Sequence, residues 1–242
     1  MKTGISKTAK AVSFALFPSV CCACGKVITP GTELCKHCRR IILHVPAGRY
    51  CKGCGCRIKH CMCTPQPFLS CICAPFLYEG KLRKQVQRFK FGNRPDMARP
   101  YAKIAAKYLT DCNNADGIDL ICFIPMTEKA VRKRGYNQAE VFANELSVRL
   151  GIPVAPLLIK TNETPRQHTL SAFLRHGNLT GVYDLPADAE EQIKDKTILL
   201  TDDITTTGST LHEAAKTLLI FGAKEVRGLC IARAPLHKQM II

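Results

Sequence analysis

Two adjacent carboxylates, Asp202 and Asp203, are followed at once by a run of hydroxyl side chains and a glycine, Thr205, Thr206, Thr207, Gly208, Ser209 and Thr210. Carboxylates side by side can accept hydrogen bonds from a diol or hold a divalent cation. A hydroxyl- and glycine-rich turn offers outward N–H groups, and a helix beginning at its end places a positive dipole behind them. The turn suits a monophosphate. It is not that of a P-loop, because the turn holds no lysine and no Gly-Lys-Ser/Thr at the required spacing. The surrounding elements follow from periodicity. Ile198, Leu199 and Leu200 form a continuous apolar run, as expected of a parallel strand buried on both faces, and Leu211 to Phe221 read as a helix. The acidic pair therefore falls at the carboxyl end of a strand, where open α/β sheets bind ligands.

The stretch from Ile198 to Thr210 resembles the phosphoribosyl pyrophosphate (PRPP) signature of type I phosphoribosyltransferases. The resemblance implies that Asp202 and Asp203, the candidate catalytic pair, contact the ribose hydroxyls. It implies likewise that Thr205 to Thr210 cradle the 5′-phosphate, with Mg²⁺ accompanying PRPP.

Twelve of the fifteen cysteines lie between Cys21 and Cys73 and include three C-x-x-C pairs. That spacing favours metal knuckles over a disulfide scaffold, and the odd total argues against complete pairing. Cys21, Cys24, Cys35 and Cys38 supply one tetrahedral zinc set. Cys51 and Cys54 begin a second, which either Cys61 with Cys63 or His60 with Cys63 could close; the cysteine pair is preferred. Both sites are closed and hence structural, since a short cysteine-rich segment cannot bury a large core.

The formal charge is +16, and residues 1–65 hold eleven Lys/Arg against a single acid, Glu33. Two closed zinc sites would remove about four charges, leaving a basic chain suited to an anionic partner, nucleic acid before membrane surface. Lys81 to Gly92 reads as a basic helix with Leu82, Val86 and Phe89 inward. Lys81, Arg83, Lys84, Arg88 and Lys90 are then available outside for phosphate-backbone contact. Tyr50, Phe68, Phe89 and Phe91 are the aromatics near these charges that could stack on bases.

In the rest of the chain, residues 1–20 suggest a short amphipathic helix rather than an export signal, since the apolar run is short and no A-x-A site follows. No segment reaches the ~20 apolar residues of a membrane span. Cys71 to Leu77, Asp119 to Pro125, Val154 to Leu158, Lys196 to Asp202 and Glu225 to Arg233 read as strands, and Pro95 to Leu109 and Glu140 to Leu150 as helices. Alternation of this kind implies an α/β domain with a doubly wound parallel sheet. The basic stretch from Lys129 to Ala139 reads as a strand-end loop in which Arg132 and Arg134 could engage a pyrophosphate. Domains are expected at residues 21–66 (cysteine-rich) and 67–242 (α/β).

Several motifs appear in one order: the knuckles, Tyr78-Glu79-Gly80, Phe89-Lys90-Phe91-Gly92, Arg134-Gly135-Tyr136-Asn137-Gln138-Ala139, Gln167, Leu170, Arg175, Asn178-Leu179 and the PRPP loop. Together they resemble the ComF/GntX family, with departures at the second knuckle and at Lys160, where an arginine is more usual. The resemblance implies a double zinc finger on a type I phosphoribosyltransferase-like domain, and a role in taking up single-stranded DNA during natural transformation. It also implies a cytoplasmic protein, peripheral to the inner membrane, with a helicase or DNA-uptake channel as protein partner. The alternative is an active phosphoribosyltransferase that moves ribose 5-phosphate from PRPP to a nucleobase or related acceptor, and a further reading makes PRPP a regulatory ligand.

Overall fold

The computed structural model describes residues 18–41, 51, 67–160 and 182–234. In chain order its elements are α1 (Lys36–Ile41), β1 (Cys71–Cys73), β2 (Phe76–Leu77), α2 (Gly80–Phe91) and, after a 3-10 turn at Pro95–Met97, α3 (Ala98–Asp111). There follow β3 (Leu120–Phe123), α4 (Glu128–Arg134), α5 (Gln138–Leu150), β4 (Ile159–Lys160), β5 (Tyr183–Asp184), α6 (Ala189–Ile193), β6 (Thr197–Thr205), α7 (Ser209–Ile220) and β7 (Glu225–Arg233).

Five strands form one sheet in the order β1-β7-β6-β3, with β2 continuing along β7 beyond β1, and every pairing in it is parallel. β6 and β7 are the long central strands, and apolar side chains cover both their faces as the continuous runs require. One face packs Leu199, Leu229 and Ile231 against Tyr101, Ala102, Phe142 and Leu146 of α3 and α5. The other packs Ile198, Leu200 and Cys230 against Leu211, Ala214 and Leu218 of α7. Helices on both faces of a parallel sheet are the doubly wound arrangement expected. β4 and β5 form a separate antiparallel pair.

Three elements differ from the sequence reading. Cys71 to Leu77 is two short strands, because Pro75 lacks the N–H to continue the ladder. Val154 to Leu158 makes a single bridge to Ile121 rather than a strand; its two hydrogen bonds, Ile121 N–H to Pro153 O and Ala155 N–H to Ile121 O, are 2.8 and 2.9 Å. Lys129 to Arg134 is helical, because Thr127 caps α4 by accepting the Ala130 N–H and Gly135 ends it in the left-handed region at φ 87°. Cys71 and Cys73 lie in the core. The N-terminal segment, the second knuckle beyond Cys51, and Gln167, Leu170, Arg175, Asn178 and Leu179 lie outside the described residues.

The first cysteine knuckle does not stand apart from the α/β domain. Cys21, Cys22 and Ala23 belong to the same buried cluster as α3. The Tyr101 hydroxyl donates to Cys22 O at 2.8 Å, and Lys103 meets Glu33 at 2.8 Å.

Candidate functional site

β6 runs on through the acidic pair, ending at Thr205. Strand alternation puts the two carboxylates on opposite faces of the sheet. Asp203 is buried and meets Lys90 Nζ at 2.9 Å. Asp202 turns its Oδ1 back to accept the Asp203 N–H at 2.7 Å. Burial, and then the neighbouring Asp203 charge, push the Asp202 carboxyl up to about 7, although it keeps part of its surface in water; the Asp203 N–H, Lys90 and Lys160 oppose the rise. A carboxyl titrating near neutrality at a strand end is poised to change its charge on meeting a cation or a diol.

The turn after β6 is shaped by Gly208. Its φ of 88° lies in the left-handed region, and a Cβ there would come within 2.9 Å of Ile72 Cδ1. Only glycine fits without strain, and it starts α7 at Ser209. Thr207 Oγ1 accepts the Ser209 N–H at 3.3 Å and lies 3.2 Å from Ser209 Oγ. Thr206, Ser209 and Thr210 are exposed, leaving the helix terminus and hydroxyls facing solvent as a phosphate cradle requires.

Two motifs that the sequence presented separately prove to be partners. Tyr136 donates its hydroxyl to Phe89 O, and Gln138 Nε2 donates to Lys90 O at 3.2 Å. Asn137 caps α5 by accepting the Ala139 N–H at 3.0 Å, and its Nδ2 donates to Ile124 O at 3.0 Å. The Tyr136-Asn137-Gln138 corner thus grips the C-terminal end of α2 and sets Lys90 against Asp203.

Lys90 is therefore a correction: expected on the outer face with Lys81, Arg83, Lys84 and Arg88, it instead turns to the acidic pair. The signal was present, because Lys90 follows Val86 by four residues and so falls on the buried stripe of α2. Phe89 is fully buried and cannot stack on a base. Phe91 is 67% exposed, with the Arg134 guanidinium 5.0 Å above its ring. Arg134 also donates to Gln138 Oε1 at 3.2 Å. Arg132 is exposed and pairs with Glu128 along α4 at 2.8 Å. A helix stands in place of the expected basic loop, with Arg132 on its exposed surface.

Replacing Lys90 with methionine (K90M) would leave Asp203 buried without its counter-ion. The expected cost is about 1.5–3 kcal/mol, the range of hydrogen bonds to charged groups, read as a lower urea midpoint at unchanged m. A midpoint equal to that of the unaltered protein would show that the pair contributes nothing.

Cys21, Cys24, Cys35 and Cys38 offer four sulfurs that all lie within 4.8 Å of one another. That cluster could hold a tetrahedral ion such as zinc, and it is the one such group among the described residues. The turn assists: the Cys38 N–H donates to Cys35 Sγ at 3.3 Å and is the main cause holding that thiol down to about 7, a value that favours the thiolate a metal needs. Of the second set only Cys51 is among the described residues.

A family model for the phosphoribosyl transferase domain matches residues 136–240, spanning the corner at Tyr136, the acidic pair and the loop. Competence protein F of Haemophilus influenzae is 32% identical over 211 residues, which cover 83% of this chain and 90% of that protein. The chain belongs to the ComF family. The DNA utilization protein YhgH of Salmonella typhi is 28% identical over 218 residues, 88% of this chain and 90% of that protein. Its Escherichia coli K12 counterpart is 26% identical over 220 residues, with the same coverage. The ComF assignment accords with a parallel α/β sheet carrying a cysteine cluster at its N-terminal side. No helix among the described residues is long and apolar enough to cross a membrane.

Proposed function

We propose that this ComF-family protein binds single-stranded DNA during uptake in natural transformation, and that its phosphoribosyltransferase-like domain binds PRPP with Mg²⁺. The observation that carries the DNA half is the outer face of α2. Lys81, Arg83, Lys84 and Arg88 are all exposed, and the helix contains no acidic residue. Charges held on one rigid element track a phosphate backbone without reading its sequence, as incoming strands of any sequence require. Phe91, exposed at the end of the same helix with Arg134 over it, adds one surface on which a base could stack. The names of the relatives, a competence protein and DNA utilization proteins, agree with this reading.

If four phosphates are neutralised, the affinity for a single-stranded oligonucleotide should fall with a log–log salt slope of about −3, or roughly 50-fold between 50 and 200 mM salt. The quadruple variant K81A/R83A/K84A/R88A should bind weakly and lose most of that slope. A variant indistinguishable from the parent in fluorescence anisotropy would remove α2 from the interface. Unaltered protein that fails to bind at low salt would remove the function.

The PRPP half rests on Asp202 and Asp203 at the strand end beside a phosphate-shaped loop. Asp202 and Asp203 would accept hydrogen bonds from the ribose 2′- and 3′-hydroxyls, and the loop N–H groups would take the 5′-phosphate. The same geometry favours active transfer as the second reading. In that reaction the bond from the anomeric carbon to pyrophosphate breaks, its electron pair leaves with pyrophosphate, and an acceptor nitrogen supplies the new bond. Carboxylates beside the ribose would stabilise the positive charge that grows at the anomeric carbon. Pyrophosphate release with candidate acceptors separates transfer from binding alone. In cells, loss of transformation with normal nucleobase salvage favours DNA uptake, and the reverse favours the enzyme. A helicase or uptake channel at the inner membrane is the protein partner this role calls for.

A further inference from the structure

A sugar phosphate carries up to two negative charges, and the loop offered to it carries none of the opposite sign, since residues 205–210 include no lysine or arginine. Backbone N–H groups and the start of α7 supply only partial charge. The nearby cations described above are engaged elsewhere: Lys90 with Asp203, Arg132 with Glu128, Arg134 with Gln138 and Phe91.

One cation remains. Arg233, the last residue of β7, is 1% exposed, and neither its Nη1 nor its Nη2 has a hydrogen-bond partner among the described residues. It is the register partner of Thr205, the first residue of the loop, so the two side chains leave the sheet on the same face. Thr205 Oγ1 is also buried and also without a partner. The strands stay joined past this point, with the Ala234 N–H donating to Thr205 O at 2.8 Å. The preceding register pair, Ile204 and Ala232, packs with the α3 and α5 core. Thr205 and Arg233 thus stand side by side at the carboxyl end of the sheet. The loop that starts at Thr205 turns back onto the sheet, where Gly208 sits against Ile72 and His212.

A guanidinium cannot shed its charge by deprotonation, and burying one without an acceptor is costly. Two unsatisfied groups, a cation and a hydroxyl, side by side at the ligand end of a sheet are complementary to an anion. We propose that Arg233, with Thr205 Oγ1, is the charged half of the phosphate subsite and neutralises the 5′-phosphate of PRPP from beneath the loop. This rests on the PRPP reading given above. It explains how a loop without a basic residue could hold a dianion, and it adds to the site a residue 23 positions beyond the end of the signature.

The test is calorimetric titration of ribose 5-phosphate, ribose and inorganic phosphate into the full-length protein and into R233M and R233Q, with the melting temperature of each measured without ligand. Ribose 5-phosphate should bind the variants at least tenfold more weakly than the parent. R233M without ligand should melt at or above the parent temperature, because an uncompensated buried charge has been removed; if it does not fold, R233Q decides the binding result. Equal affinities in parent and variant would overturn the role of Arg233 while leaving the PRPP site standing, as expected if buried water satisfies the guanidinium. Variants that fold but melt well below the parent, with affinity unchanged, would make Arg233 structural and overturn the proposal. A parent protein that binds neither ribose 5-phosphate nor inorganic phosphate at millimolar concentration would overturn the PRPP reading and this inference with it.

Discussion

Replacing Cys38 with alanine (C38A), or stripping the protein with a strong chelator, is expected to lower its melting temperature by roughly 6–12 °C, the shift that about 3 kcal/mol produces in a chain of this size. The four sulfurs of Cys21, Cys24, Cys35 and Cys38 are close enough to share one ion, those of Cys24 and Cys35 lying 3.8 Å apart. Structural zinc contributes about 10–16 kcal/mol in isolated fingers, as much as the whole stability of a typical domain. The effect should not stay local. Cys21, Cys22 and Ala23 pack in the core that α3 shares, and Tyr101 is tied to the Cys22 carbonyl. Loosening the knuckle therefore exposes Tyr101 and its neighbours to water. Elemental analysis should return at least one zinc per chain, and two if the second set closes. Metal-free protein in which C38A melts with the parent would show that the cluster is packing alone.

Replacing either carboxylate of the pair by its amide, D202N or D203N, is expected to weaken PRPP–Mg²⁺ binding about 10- to 150-fold. That corresponds to about 1.5–3 kcal/mol for a hydrogen bond to a charged group. The double change should abolish binding in calorimetry. The same site predicts a pH dependence. The Asp202 carboxyl is raised from an ordinary 3.8 to about 7, first by burial and then by Asp203, so the folded protein binds this proton more tightly than the unfolded chain does. Its contribution to stability is complete below the ordinary value and is lost as pH rises through about 7. Ligand binding has the opposite sign, because a diol or a cation needs the ionised form. Affinity should therefore rise about tenfold per pH unit up to about 7 and then level off. A profile flat from pH 5.5 to 8.5 in the parent, or a slope that survives in D202N, would disconnect Asp202 from the ligand.

Much of this protein was legible in the chain because its signals are local. The apolar run Ile198 to Leu200 is a strand in any context that buries both faces. The pattern Thr207-Gly208-Ser209 starts a helix because only glycine tolerates φ near 88° beside Ile72. The knuckle spacing of Cys21, Cys24, Cys35 and Cys38 brings four sulfurs together whatever lies around them. Where local signals were misread, capping chemistry explains it. Thr127 and Gly135 bracket a seven-residue helix inside what reads as a basic loop.

What the chain alone determined, then, is the set of parts: a metal-type cysteine cluster, a basic helix, an acidic pair and a phosphate-shaped turn. Tertiary structure decided which of them meet, because those meetings join residues 28 to 113 positions apart that no local periodicity relates. Lys90 reaches Asp203 because Tyr136 and Gln138 clamp the end of its helix. Arg233 stands beside Thr205 because two parallel strands hold one register to their ends. The knuckle joins the main core because Tyr101 and Cys22 can satisfy each other only where α3 crosses it.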